Sequence, residues 1–588
     1  MFELERQKVE ENIIVFCHQE DLPEIQVAWN SIPFSGHWGI STSLFALAAA
    51  EVRQKQIKIN VPQRAAELAE KLVDFLGIPQ GFEKVEAVKG YVNLYFSQNE
   101  YTRRVLEAVF TEKENFGRHQ PYNQQVMVEF SQPNTHKAFH VGHLRSAILG
   151  DTLSRILEFG GYDVVRANYP GDMGLHVIKW LWCYKNFHAG EKPEEDITRW
   201  MGSIYAEASK RLEENPELEA EIRELYTLWD QGDPEIVNLW QETRQWSLNG
   251  FYEMYETLNI HFDRYYFNSQ MEKPGKAIVQ TLIDKGIAQD ERPDGAVIVK
   301  IDEVLGLNKD KYRVLVVLRS DGTALYATED LALSKQKFED YPDLSKSYYV
   351  VDVRQSLHFQ QIFKTMEILG YDWAKKCEHI PYELVSLPGN VVMASREGTV
   401  VLLEDLISEA TNRAYEVVKQ KNPDLSEEKN REIARAIGIG AIKYPMQARE
   451  NAKIVTFDWE SALDFNGQAA PYIQYAYVRA GSILRKAGVE KMDWDIPVYD
   501  MAPIEVELID MISRFPQEVE RAANEMRTIQ ITTYAYELAK RFNEFYNQCP
   551  VLKVEEPVRS ARLRLVFATR QAVKNSLALL GITAPEAM

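Results

Sequence analysis

From residue 125 onward, short apolar runs alternate with longer stretches of helical periodicity, and few folds accommodate that rhythm. VMVEF (126–130) is followed by LRSAILGDTLSRILEF (144–159) and then by GYDVVRANYPGD (161–172). Farther on come RVLVVLRSDG (313–322), a helical TEDLALSKQKF (328–338), the run SYYVVDV (347–353), a helical SLHFQQIFKTMEIL (356–369) and ELVSL (383–387). Apolar runs separated by helices predict a mostly parallel, doubly wound sheet. Trp- and Glu-rich helical sequence between about 178 and 260 interrupts the rhythm and reads as an insertion.

A chain of 588 residues is too long for one core. Residues 1–118 read as a small α+β domain, with helical SLFALAAAEVRQ and PQRAAELAEKLVDFLG ahead of the alternating VKGYVNLYFS. The polar GRHQPYNQQ (117–125) reads as a linker, a catalytic α/β domain is expected over 119–440, and 441–588 reads as an all-α bundle.

The N-terminus lacks the basic, apolar and small-residue order of a secretory leader, and no apolar run is long enough to span a bilayer. Cys17, Cys183, Cys377 and Cys549 are scattered without a C-x-x-C pair, which disfavours a zinc knuckle or disulfide framework and fits a cytoplasmic protein. The formal charge of −20 weighs modestly against a nucleic-acid coat, yet it leaves room for a local basic path.

In an open α/β sheet, ligands sit beyond the carboxyl ends of the strands. SQPNTHKAFHVGH (131–143) is the loop from the first strand into its helix. Gly142 lets a flat ring or phosphate approach the backbone, and His140 and His143 flank it at the helix start, where free N–H groups favour anions. Spacing alone leaves two readings equally open: phosphate-binding imidazoles, or a chance pair in which one His caps the helix. A zinc site would need a third ligand that is not evident nearby.

E-F-S-Q-P-N followed by F-H-V-G-H-L-R resembles the ATP-binding signature of class I aminoacyl-tRNA synthetases, with flanks similar to the arginyl-tRNA synthetases. NYPGDMG (168–174), SDGTALYATEDLA (320–332), QSLHFQQIF (355–363), GIGAIKY (438–444), GQAAPYIQYAYVRAGSILRK (467–486), the final LGITAPEAM and GYVNLYF in the first domain resemble further segments of that family. The resemblance spans nearly the whole chain. It implies a Rossmann-type catalytic core and formation of arginyl-adenylate from L-arginine and ATP with Mg2+. Transfer to the terminal ribose of tRNA(Arg) follows, by a cytoplasmic monomer without membrane contact.

Carried onto this sequence, the resemblance gives ATP to His140, Gly142, His143, Met393 and Ser395. Arginine goes to Asn134, Tyr326, Asp330 and Gln355, with Asp330 accepting from the guanidinium. Family members place a Glu in the segment corresponding to FDRYYFNSQME, to grip the guanidinium; Asn268 stands there, with Glu272 four residues on, so either Glu272 takes the role through a shifted loop or the pocket is weaker than usual.

The family's second signature, K-M-S-x-R or K-M-S-K-S, is also altered. Residues 392–398 read VMASREG, with Val392 in the place of the lysine that neutralises the pyrophosphate side. Loss of one such group typically costs roughly 100- to 1000-fold in rate. The expectation is that Lys137 supplies the cation, with Arg396 secondary.

For tRNA, the resemblance points to Tyr472, Tyr475, Arg479, Arg559 and Met588, and to the first domain bearing Arg103 and Arg104 for the tRNA elbow. Tyr477 and Tyr546 are further aromatics that could stack bases. Lys553, Arg559, Arg562, Arg564, Arg570 and Lys574 give 553–574 a basic bias on an acidic chain. The resemblance also implies that arginine activation requires bound tRNA. The alternatives are a synthetase of altered specificity and a non-catalytic paralogue that binds RNA.

Overall fold

The computed structural model describes residues 2–23, 26–56, 58–308, 310–387, 391–392, 402–488, 492–493 and 495–588. They form two compact units, each assembled from separated stretches of chain. One runs from the N-terminus to Phe116 and adds Ala476–Phe515 and Glu537–Asn575. The other comprises Gly117–Tyr475, Pro516–Tyr536 and Ser576–Met588.

In the second unit lies a parallel sheet in the order Cys377–Tyr382, Leu344–Asp352, Gln125–Glu129, Asp163–Asn168, Arg264–Tyr265. Its central strands pack Met127, Val165 and Ala167 against Leu331, Ile362 and Met366 of flanking helices. Gly150 of the helix Val141–Phe159 rests directly on Phe130, where a Cβ would clash with the ring, so this helix sits tight on the sheet.

RVLVVL does not join that sheet. Val314–Leu318 pairs antiparallel with Val297–Lys300, which pairs with Ala288–Asp290. Val314 and Val316 face solvent while Leu315 and Val317 are buried, the one-sided burial of an antiparallel strand. Val385–Leu387, the ELVSL segment, also leaves the main sheet and pairs with Val391–Val392 and Val455–Thr456. The edge strand Cys377–Tyr382 takes the position that the pattern assigned to ELVSL.

The insertion is helical: Leu175–Phe187, Ile197–Glu214, Glu219–Asp230 and Pro234–Thr257 close around Trp180, Met201, Ile222 and Trp240. The first unit holds an antiparallel sheet, Trp29–Ser31, Gly39–Ser43, Tyr91–Phe96 and Phe82–Val88, with helices Phe45–Lys55 and Val61–Leu76. Within this unit Trp38 donates to Asp510 (3.0 Å), Tyr101 bonds Ser513 (3.1 Å) and Phe110 packs on Phe567. No helix among the described residues is long and apolar enough to cross a membrane.

Candidate active site

The loop 130–140 leaves the first strand of the parallel sheet and is held from several sides. Ser131 Oγ and Tyr255 OH lie 2.7 Å apart, the Gln132 amide donates to Asn168 Oδ1 (3.2 Å) and the His136 amide donates to Ser247 Oγ (3.0 Å). The His136 ring is fully buried between the hydroxyls of Thr135 and Thr243, each 2.9 Å away. Ser131, Gln132 and His136 adopt positive φ of 77°, 45° and 58°. Such backbone costs about 1 kcal/mol or more per residue and persists only where surrounding bonds over-determine it.

This loop delivers His140 as the N-cap of the helix Val141–Phe159. His140 Nδ1 accepts from the Gly142 amide (3.1 Å), His143 Nδ1 accepts from the His140 amide (3.5 Å), and the rings stack with centroids 3.9 Å apart. With both Nδ1 atoms accepting, each ring carries its proton on Nε2. Burial pushes His140 down to about 4 and His143 well below the usual imidazole range, and the Lys137 ammonium adds to both shifts. The pair is therefore neutral near pH 7, able to donate two Nε2–H groups without carrying charge. Capping, one of the two readings posed by the spacing, uses only the Nδ1 edges and leaves the Nε2 edges free of it.

Lys137 is half-buried, its ammonium 4.8 Å above the Tyr205 ring of the insertion helix Ile197–Glu214. One turn earlier, Gly202 lets that helix approach Ala138, whose Cβ would stand 2.6 Å from a Cβ at 202. Among the described residues no carboxylate pairs with Lys137. A third imidazole, His176, also feels its charge; burial and Lys137 push it down to about 3, and its buried Nε2 has no hydrogen-bond partner.

NYPGDMG closes against this loop. Gly171 donates to Pro133 O (3.1 Å), Thr135 donates to Gly171 O (2.9 Å), and a Cβ at 171 would strike Asn134 Oδ1. Buried Asp172 pairs with Arg244 (2.9 Å) and accepts from the amide and hydroxyl of Ser269 (2.8 and 2.7 Å), fixing the start of the helix Asn268–Asp284.

The second signature is reachable only through its flanks. Met393, Ser395 and Arg396 lie outside the described residues, and Val392 is described in its backbone alone. On the entry side, the buried Arg145 guanidinium binds the carbonyls of Glu383, Leu384 (3.2 Å), Asn451 (3.1 Å) and Lys453 (2.9 Å), and so ties the helix Val141–Phe159 to the strand Val385–Leu387. On the exit side, Leu402 bridges to His140 and the Leu403 amide donates to Phe139 O (3.2 Å). Both flanks are thus anchored to the first motif.

A cavity of about 520 Å³ opens beside these elements, lined by Tyr226, Asn268, Glu272, Arg319, Tyr326 and Glu329 among others. Of the residues assigned to arginine, it gathers Tyr326 (75 % exposed) and Glu272, which pairs with Lys276 on its own helix (2.7 Å). Asp330 does not line it and receives His358 Nε2 at 2.6 Å. Gln355 lies exposed in the turn ahead of Ser356–Ile368. Glu329 and His358 were not singled out from the sequence. Two adjacent acids in TED, and a His three residues after Gln355, were the available signals.

The residues assigned to RNA meet varied surroundings. Tyr472 packs on Tyr536, and Tyr475 lies under Lys421. Arg479 bonds Asn543 and covers Tyr546, Arg559 is partly exposed beside Glu556, and the Met588 side chain is buried. Tyr477 is buried and bonded by Arg570, so it is core and offers no face for a base. The basic bias of 553–574 is largely neutralised within its own unit. Arg562 pairs with buried Glu505, Arg564 with Asp493 and Lys574 with Glu114. Arg103 and Arg104 likewise pair with Glu100, Glu107 and Glu5.

Two family models match the chain: tRNA synthetases class I (R), catalytic domain, over residues 105–459, and the DALR anticodon binding domain over 473–588. The arginine–tRNA ligase of Clostridium perfringens is 37% identical over 531 residues, covering 89% of this chain and 90% of that protein. That of Alkaliphilus metalliredigens is 33% identical over 526 residues, with the same coverage. The solved arginyl-tRNA synthetase of Thermus thermophilus superposes with a TM-score of 0.76 at 28% identity, over 99% of this chain and 100% of that one.

Proposed function

The chain belongs to the arginyl-tRNA synthetases of class I, and from that membership we propose how its own residues carry out arginine–tRNA ligation. The enzyme couples arginine to tRNA at the expense of ATP. In the first step a carboxylate oxygen of arginine attacks the α-phosphorus, the bond from that phosphorus to the bridging oxygen breaks, and pyrophosphate departs with the electron pair. Positioning and charge stabilisation are the work the protein must do.

His140 and His143 donate their Nε2–H groups to the triphosphate as charge builds, and Gly142 leaves the helix start open to the nucleotide. Lys137 neutralises the departing pyrophosphate in place of the lysine absent at Val392, with Arg396 in a secondary role. The observation that carries this assignment is the position of the Lys137 ammonium: it acts electrostatically on both paired imidazoles and has no described carboxylate to satisfy it. Mg2+ travels with the triphosphate and shields its charge. Asn134, Gln355 and Asp330 hold arginine, the last aimed by His358, and bound tRNA completes the competent site. In the second step the terminal ribose hydroxyl attacks the arginyl carbonyl and AMP leaves.

The ligase acts in the cytoplasm as a monomer; its four cysteines, all free thiols, agree with a reducing compartment. The test is aminoacylation of unfractionated tRNA with each amino acid in turn. Arginine alone is expected to be charged. Charging of another amino acid would replace the specificity, and charging of none would favour an RNA-binding paralogue.

A further inference from the structure

The guanidinium of arginine needs a carboxylate, and where the family resemblance leads one to expect a Glu the chain has Asn268, an amide. The cavity beside Asn268 contains three acids. Glu272 is neutralised by Lys276, and exposed Asp321 is turned to the amide and hydroxyl of Thr323. Glu329, in the first turn of the helix Tyr326–Asp340, accepts from the Asn268 side-chain amide. Among the described residues no cation pairs with it.

The backbone builds this contact deliberately. Gly275 lets the helix Asn268–Asp284 close onto Tyr326–Asp340, since a Cβ there would strike Thr328 O. Asp172 fixes the start of the first helix through Ser269. Tyr326 and Glu329 are three residues apart on one helix face and both line the cavity, whereas Asp330 is rotated toward His358. Asn268 also reaches Tyr169 OH (3.5 Å), so its amide is held between two groups.

We propose that Glu329 is a second carboxylate, besides Asp330, that grips the guanidinium of the substrate, and that Asn268 acts as its positioning residue. The carboxylate stands on the helix Tyr326–Asp340, and the amide on the adjoining helix Asn268–Asp284 orients it. This rests on the arginine reading above and names a specificity residue within it. The electrostatics agree: burial, with Asp330, Glu272 and Asp172 adding, pushes the Glu329 carboxyl up to about 8 against the opposing pull of Asn268. A carboxyl held neutral for want of a cation ionises when a guanidinium arrives, and its proton leaves to solvent.

Aminoacylation by wild type and Glu329→Gln is the direct test. The variant is expected to raise the KM for arginine at least 30-fold, to leave the KM for ATP within twofold, and to narrow the preference for arginine over its neutral urea isostere citrulline by tenfold or more. An arginine KM within threefold of wild type overturns the proposal while the wild type still charges arginine. Failure of the wild type to charge arginine would instead sink the functional reading. Calorimetry of arginine binding to both proteins is the second test. The affinity for arginine is expected to fall at least 30-fold in Glu329→Gln, and a change below threefold overturns the assignment.

Discussion

His358 Nε2 donates to Asp330 Oδ2 across 2.6 Å, linking two helices that begin beyond neighbouring parts of the catalytic unit. A hydrogen bond to a charged group is worth about 1.5–3 kcal/mol, and this one sets where the carboxylate points. His358→Ala should therefore raise the arginine KM about tenfold or more while the ATP KM stays within twofold. His358→Gln, which keeps an N–H donor, should recover most of the loss. Equal effects on both substrates would make the contact merely structural.

Lys137→Ala should slow tRNA-dependent ATP–pyrophosphate exchange by roughly 100- to 1000-fold, the usual effect of deleting a stabilising group at a developing charge. Lys137→Arg should restore part of the rate. Because the Lys137 ammonium lies over Tyr205 and pairs with no carboxylate among the described residues, the melting temperature should hardly move. A rate within threefold of wild type removes this lysine from the mechanism.

The depressed imidazoles make stability depend on pH. His136, His140, His143 and His176 all titrate below their unfolded value, so the unfolded chain binds more protons than the native one below about pH 6.5. Stability is fully present above pH 6.5 and falls as the pH drops toward 4. Glu329, raised instead, opposes this between about 4.5 and 8. The urea midpoint should decline steeply from pH 6.5 to 5, and His140→Gln/His143→Gln should flatten that decline. Parallel profiles for the two proteins would contradict the assignment.

Arg145→Met should cost about 3 kcal/mol or more, because the part-buried bonds from its guanidinium to the carbonyls of Glu383, Leu384, Asn451 and Lys453 are all lost. Arg145→Lys cannot span them and should recover little. The adenylation rate should fall further than the loss of folded protein explains, since the strand leading to the second signature loses its tie to the helix Val141–Phe159. A specific activity equal to wild type, corrected for folded fraction, would separate the two roles.

The motif-bearing parts were legible because their signals are local. A buried parallel strand reads as a short apolar run, and H-x-G-H sits at the strand-to-helix junction where ligands gather. RVLVVL shows the limit: its apolar run is indistinguishable from a buried strand, although two of its valines face solvent. Glu329 stayed hidden beside Asp330 because its distinguishing partner, Asn268, is 61 residues away in sequence. The basic run near the C-terminus shows the same limit. Its neutralising acids come from Glu114, Asp493 and Glu505. Patterns report what neighbours along the chain share, and charge balance is set by neighbours in space.

The unit that joins the first 116 residues to 476–515 and 537–575 imposes a schedule on biosynthesis. Trp38 leaves the ribosome long before Asp510, the acceptor of its indole proton, has been made. At roughly 5–20 residues per second, the nascent N-terminal segment waits on the order of 20–90 s with Trp38 lacking that partner. A chain truncated before residue 476 would never supply it, so premature termination yields a product that chaperones can hold but no later folding event can complete.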